Sequence, residues 1–262
     1  MNQQNDQDTG VKILFKNQLP MIPVWKRAID VACCAAAFPL FCVITLVMAI
    51  LLRLTSRGPI LFKQERVGFK GRRFLCYKFR TMHVGADTKG HQAYLDSLIA
   101  SKDPTPMVKL DAKGDNRVIP FGWILRSTGL DELPQIINIY RGQMSVVGPR
   151  PCIPYEYAKY DASERRRFNA VPGLTGLWQV SGKNRLSFDR MIELDIQYSE
   201  TSSFWLDIRV ILMTIPALFI QVADTRRARK AQSRAGKTRT TTVSSQTTST
   251  RRPQATASRT LI

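Results

Sequence analysis

Two adjacent carboxylates, Asp131 and Glu132, lie in the stretch Arg126-Ser127-Thr128-Gly129-Leu130-Asp131-Glu132-Leu133-Pro134-Gln135. Apolar residues follow Leu133 at Ile136, Ile137 and Tyr140, which is helical spacing. Gly142 closes that helix, and Arg141 lies at its cationic end. Pro134 is tolerated only near a helix start, where its missing N–H leaves no hydrogen bond unmade. The dyad therefore belongs to the first turn, close to unpaired backbone N–H groups, and that position favours ionised carboxylates. The plainer alternative is that Thr128-x-x-Asp131 is a capping box and nothing more.

A second candidate is Gly148-Pro149-Arg150-Pro151, a rigid turn holding one cation between two prolines. A stiff backbone spares part of the ordering entropy of presenting a guanidinium, and a planar fork suits phosphate oxygens. An exposed arginine on a structural turn fits equally well. The loop 172–183 is glycine-rich and ends in Gly182-Lys183, but it is not a phosphate-binding P-loop. Five residues separate its glycines where four are needed, and Asn184 replaces the required Ser/Thr. Asp6-Gln7-Asp8 spells a metal-binding DxD, but in a polar, aperiodic terminus it reads as chance.

The whole chain has 262 residues and a formal net charge of +19, which points to an anionic partner: nucleic acid, an acidic membrane surface or a phosphorylated substrate. Residues 224–262 hold ten Lys/Arg and one Asp, so the body keeps a net +10 without them. Five scattered cysteines without a CxxC argue against a disulfide framework or a zinc site, and two histidines argue against a His-rich metal site.

Several elements must position these groups. Trp25-Lys26-Arg27 leads into an uncharged run, 31–52, whose helix would reach ~33 Å, enough to cross a hydrocarbon core. Its length and the polar sequence before it are a poor fit to a signal peptide. Pro39 lies inside the run, and basic residues flank it on both sides (Lys26 and Arg27, then Arg53, Arg57 and Lys63). A spanning helix usually carries its positive flank on one side only, so a bent, re-entrant helix is expected. Short apolar segments between Gly58 and Met82 read as a hairpin-like region, and its basic residues as a solvated or headgroup-facing surface. Helices are expected at 85–101, 155–167 and 188–198, with a loop at 102–116. A further apolar stretch, 210–223, is interrupted by Pro216 and too short to span; it suits an interfacial or a buried core helix. The Ser/Thr/Arg-rich tail 224–262 is expected to be disordered and attracted to anionic lipid.

Laid end to end, these pieces resemble the monotopic bacterial phosphoglycosyl transferases that start exopolysaccharide and glycan synthesis, of the small undecaprenyl-phosphate sugar-phosphotransferase type. The resemblance covers about 25–223. It rests on Lys78-Phe79-Arg80-Thr81-Met82, Asp115-x-Arg117, Leu130-Asp131-Glu132-Leu133-Pro134-Gln135, Gly148-Pro149-Arg150-Pro151 and Pro172-Gly173-Leu174-Thr175-Gly176-Leu177-Trp178-Gln179-Val180-Ser181-Gly182. The four-helix membrane domain of longer members is not expected here. One departure is Phe38 before Pro39, where many relatives have a serine whose hydroxyl can satisfy backbone freed by the break.

The resemblance implies an α+β, mainly helical fold: a re-entrant membrane helix hairpin at 21–57 and a small catalytic domain at 58–223 with interfacial amphipathic helices. A disordered N-terminus, 1–20, and the basic tail, 224–262, would flank them. It implies that Asp131 attacks the β-phosphate of a UDP-sugar, UDP-glucose or UDP-galactose, and releases UMP. Polyprenyl phosphate then takes the sugar phosphate from the aspartate. Mg²⁺ is the implied cofactor, held by Glu132 beside Asp131. Arg150, Arg126 and Lys78 match phosphate-binding positions, and Asp195 and Asp207 match acidic positions given supporting roles. The implied location is the bacterial inner membrane, with the catalytic domain on the cytoplasmic face and no nucleic-acid partner. Two other readings account for fewer features: a non-catalytic basic protein binding membrane or nucleic acid, and a direct glycosyltransferase releasing UDP.

Overall fold

The computed structural model describes residues 22–55, 58–83, 93, 96–97, 117–119 and 121–247, with side chains through Arg227 except that of Asn184. The N-terminal segment with its DxD, most of the helix expected at 85–101, the loop 102–116 and Asp115 lie outside the described residues.

The first helix, α1, runs Val24–Thr55 without interruption. Its buried positions Lys26, Asp30, Cys34, Met48 and Leu52 fall on a three-to-four-residue repeat, filled in by Ala37, Phe41 and Ile44. Cys34 packs with Ile136, Ile139 and Met144, whereas Met48 and Leu52 pack with Phe79, Ile119 and Leu125. The helix thus lies along the body from end to end. The expected two-legged hairpin is not seen; Pro39 sits inside one continuous helix. Pro39 is on the exposed side, so its missing N–H spoils one peripheral bond while packing on both sides of it holds the axis together.

The predicted hairpin is present: β1 (Leu61–Val67) pairs antiparallel with β2 (Arg73–Phe79), from Leu61 opposite Phe79 to Val67 opposite Arg73. A short helix, α2 (Gly122–Thr128), ends at Gly129, whose φ of 76° is left-handed. Next comes a 3₁₀ segment, Leu130–Gln135, and then α3 (Ile136–Tyr140). A parallel pair, β3 (Ser145–Val147) with β4 (Gly173–Thr175), forms a second two-stranded sheet. Between these strands lie α4 (Pro154–Lys159) and a 3₁₀ turn, Glu164–Asn169, which divide the helix expected at 155–167. After β4 come α5 (Leu177–Val180), α6 (Phe188–Thr201) and α7 (Phe204–Thr247). Ser187 caps α6 by accepting from the Arg190 N–H.

Helix α7 corrects two expectations. It starts before residue 210, so its apolar part, Phe204–Arg227, is long enough to cross a membrane, as is α1. It also continues through Thr247, into the tail expected to be disordered. The stretch 226–237 is rich in Arg, Ala, Lys and Gln, all strong helix formers, so a helix already nucleated by packing propagates. Both α1 and α7 leave an apolar face uncovered, with Leu46 and Leu54 of one and Trp205, Leu212 and Phe219 of the other more than 60% exposed.

Candidate active site

The dyad lies in the 3₁₀ segment, one element earlier than an α-helical start. Gly129 ends α2 and redirects the chain, and the Glu132 N–H bonds to the Gly129 carbonyl at 3.1 Å. The Thr128 hydroxyl donates back to the Ile124 and Leu125 carbonyls, at 2.8 and 3.1 Å. No side chain caps the segment, so the capping-box reading fails and the carboxylates are left to other partners.

Strand β2 supplies the first. The buried Asn138 side chain donates to the Leu75 carbonyl at 2.7 Å and accepts from the Tyr77 N–H at 3.1 Å. It joins α3 to the strand and so brings Lys78 against the dyad, where Lys78 Nζ meets Glu132 Oε1 at 2.7 Å. Arg27 of α1 closes the far end of α3 by donating to the Ile139 and Tyr140 carbonyls.

The Arg150 turn arrives from the opposite side on bare backbone. The Gly148 N–H bonds to the Thr175 carbonyl and the Gly173 N–H to the Pro149 carbonyl, both at 2.9 Å. A Cβ on Gly148 would lie 2.2 Å from the Val171 carbonyl oxygen, and one on Gly173 would lie 2.1 Å from the Gly148 nitrogen. Two motifs that are separate in sequence are therefore one structure. Behind the turn a buried ion pair, Arg167 with Asp195, grips both peptide faces of Arg150: Asp195 accepts its N–H at 3.3 Å, and Arg167 donates to its carbonyl at 3.1 Å.

Arg66, Lys78, Glu132, Gln135, Arg150 and Gln179 share one cleft. Burial alone would push the Glu132 carboxyl up, but Lys78, Arg150 and Lys183 outweigh it and hold Glu132 well below the usual carboxylate range. Burial pushes the Arg66 guanidinium down, and repulsion from Arg150 adds to this. Cations outnumber Glu132, so the cleft is built for a ligand carrying more than one negative charge.

Of the residues singled out in the sequence, Lys78, Glu132 and Arg150 line this cleft together. Asp131 precedes Glu132 on the same turn and is half-buried, as is Arg126 at the end of α2; neither side chain is part of the cleft wall. Asp195 acts through the Arg150 backbone. Asp207 lies elsewhere, buried against Lys26 Nζ at 2.5 Å and the Tyr198 hydroxyl at 2.6 Å. Arg66 belongs to the basic residues read from sequence as a solvated or headgroup-facing surface, but the structure buries it in the cleft. Lys183, dismissed with the P-loop, does belong to the electrostatics of the site, and its amine donates to Gln221 at 2.7 Å. Gln221 in turn donates to the Ser127 carbonyl at 3.0 Å, tying α7 to the approach of the dyad.

Among the described residues no three metal-ligating side chains converge. Two adjacent carboxylates still suit Mg²⁺, which takes one or two of them and completes its shell with water and phosphate oxygens.

Residues 21–221 match the family described as bacterial sugar transferase. The chain belongs to this family. It is 37% identical to the exopolysaccharide production protein ExoY of Rhizobium meliloti, over 74% of this chain and 84% of that one. It is 38% identical to the UDP-glucose:undecaprenyl-phosphate glucose-1-phosphate transferase of Caulobacter vibrioides, over 74% of this chain and 69% of the relative. Identity to the galactosyl transferase CpsE of Streptococcus agalactiae is 43%, over 62% of this chain but only 35% of that protein. The matched region of this sugar transferase contains every residue of the cleft.

Proposed function

We propose that the chain transfers a hexose 1-phosphate from a UDP-sugar, UDP-glucose or UDP-galactose, to polyprenyl phosphate, an initiating step of exopolysaccharide synthesis. One observation carries this reading: ionised Glu132, next to Asp131 on the same turn, lines a cleft in which Arg66, Lys78 and Arg150 leave positive charge uncompensated. A diphosphate fits that surplus, and a carboxylate nucleophile can approach phosphorus only where such cations offset the repulsion. The names of the relatives from Caulobacter and Streptococcus support the same substrate class.

In this mechanism an Asp131 oxygen attacks the β-phosphorus of the donor. The bond from that phosphorus to the bridging oxygen breaks, and UMP departs with the electron pair. Arg150, on its braced turn, and Lys78 hold the phosphoryl oxygens, and Arg66 spreads the charge from the cleft floor. A polyprenyl phosphate oxygen then attacks the same phosphorus, restoring Asp131 and giving polyprenyl-diphosphate-sugar. Glu132, with Asp131, would hold Mg²⁺, whose contribution is charge neutralisation of the diphosphate.

The test is product identity from the purified protein with Mg²⁺, polyprenyl phosphate and each UDP-sugar in turn. UMP is expected from one donor, and Asp131→Asn should abolish turnover while leaving membrane association intact. UDP as product would establish direct glycosyl transfer instead. Retained activity in the variant would remove Asp131 as the nucleophile.

The same reading makes the protein monotopic, at the cytoplasmic face of the inner membrane. Both ends of α1 stay on the catalytic body, which supports a helix held along one face of the membrane over one that crosses it. Cysteines introduced at Val24 and Thr55 should both react with an impermeant reagent from the cytoplasmic side only. Labelling of one from the far side would show a span.

A further inference from the structure

On the other side of α5 from Gln179 lies a second recess of about 180 Å³, open to solvent. Its walls include Ser181, Gln197, Leu206, Arg209, Val210 and Met213. No carboxylate lines it, and its single charge is Arg209. Among the described residues Arg209 is exposed and makes no hydrogen bond or ion pair.

The position of Arg209 on α7 is the second observation. At about 100° per residue, Trp205, Leu212, Met213, Pro216 and Phe219 fall on the same side of the helix as Arg209. Trp205 is 77% exposed, Leu212 64% and Phe219 74%. An unpaired guanidinium in the middle of an uncovered apolar face is a poor design for water. It suits the headgroup layer of a bilayer, where an aromatic ring, acyl-chain carbon and phosphate occur within a few ångströms of one another.

We propose that this recess is a headgroup site for one anionic glycerophospholipid, with the Arg209 guanidinium on the lipid phosphate and Trp205, Leu212 and Met213 along the first acyl carbons. Arginine can hold a phosphodiester through two parallel N–H bonds. The Gln197 amide and the oxygen of Ser181, whose own proton goes to the Leu177 carbonyl at 2.7 Å, face the glycerol-bearing side of such a headgroup. With neither a carboxylate nor a ring cage there, a cationic choline group gains nothing, so an anionic headgroup is preferred. The inference rests on membrane association and is independent of the chemistry of the dyad.

The probe is soluble dihexanoyl phosphatidylglycerol, titrated into full-length protein with Trp fluorescence as readout, beside dihexanoyl phosphatidylcholine. One saturable site per chain is expected, with phosphatidylglycerol bound more tightly. Arg209→Gln should weaken it about tenfold, the loss of one charge-assisted contact. Thermal stability should change little, because Arg209 is exposed and makes no hydrogen bond or ion pair among the described residues. Arg226→Gln combined with Arg227→Gln should leave this site unchanged while lowering salt-sensitive binding to anionic vesicles. Equal affinity in Arg209→Gln, or an equal loss in the tail variant, would overturn the site. Stoichiometric displacement of the probe by farnesyl phosphate would also overturn it, by giving the recess to the acceptor. Turnover of UDP-sugar in detergent is a separate readout, so failure of either proposal leaves the other standing.

Discussion

Two lysine–carboxylate pairs in this molecule look alike in a list of contacts and differ in every consequence. Lys26 meets Asp207 at 2.5 Å with side-chain exposures of 7% and 2%, and Lys78 meets Glu132 at 2.7 Å with exposures of 19% and 27%. The first pair is closed. Lys26 gives its other protons to the Val147 carbonyl and the Tyr198 hydroxyl, both at 2.9 Å, and Tyr198 gives its proton to Asp207. The second pair is open to a cleft that holds two further guanidiniums, those of Arg66 and Arg150. A saturated pair can only join elements, here α1 to the β3 end and α7. A pair with surplus positive charge around it can accept an anion. The number of partners left over, more than the pair itself, separates scaffold from site.

Breaking each pair should therefore show in different measurements. Lys26→Met leaves Asp207 buried without its cation and should destabilise the fold by about 3–5 kcal/mol in denaturant or thermal unfolding. Adding Asp207→Leu should recover most of that loss, because well-packed apolar replacements of a buried pair are often near neutral. No recovery would mean that the Tyr198 network is the stabilising element. Lys78→Met should do the reverse. Its partner is part-exposed and still faces other cations, so stability should change by less than about 1 kcal/mol. Turnover should fall on the order of 10²-fold or more, the scale for removing one preorganised donor from developing charge. If Lys78→Met unfolded the protein and Lys26→Met merely slowed it, the division would be refuted.

What could be read in the sequence follows the same line. The dyad, the Gly-Pro-Arg-Pro turn and the β1–β2 hairpin are local patterns, written within a dozen or two residues, and they were legible. Asn138 bonds a strand carbonyl 63 residues away, and Lys26 finds Asp207 across 181 residues. No local periodicity encodes either meeting. Arg66 was visible as a residue but not as a buried one, because alternation in β1 does not show which of several cations turns inward. Two local rules were overridden: Pro39 did not break α1, whose face is packed on both sides, and the tail continued α7 as a helix. The capping box failed for a local reason, since Gly129 ended the preceding helix and Thr128 bonded backward.

The smallest effect tests the charge field itself. Glu132 has a folded pKa held well below its ordinary value of 4.5, so it stays ionised through mild acid. A depressed carboxyl contributes stability that is present above the unfolded pKa and lost only as pH falls through the folded value. The acid limb of wild-type turnover should therefore not report Glu132. Removing a cation raises the folded pKa, and the limb should then move to higher pH, toward 4.5, with the acid-side loss of stability moving the same way. The shift should be largest for Lys78→Met and smaller for Lys183→Met, because Lys183 acts more weakly on Glu132 and its amine is bonded to Gln221. Residual turnover and thermal stability measured across mild acid in both variants would give that order. Equal or absent shifts would mean that water, rather than these lysines, sets the charge state of Glu132, and the contrast between the open and closed pairs would lose its electrostatic basis.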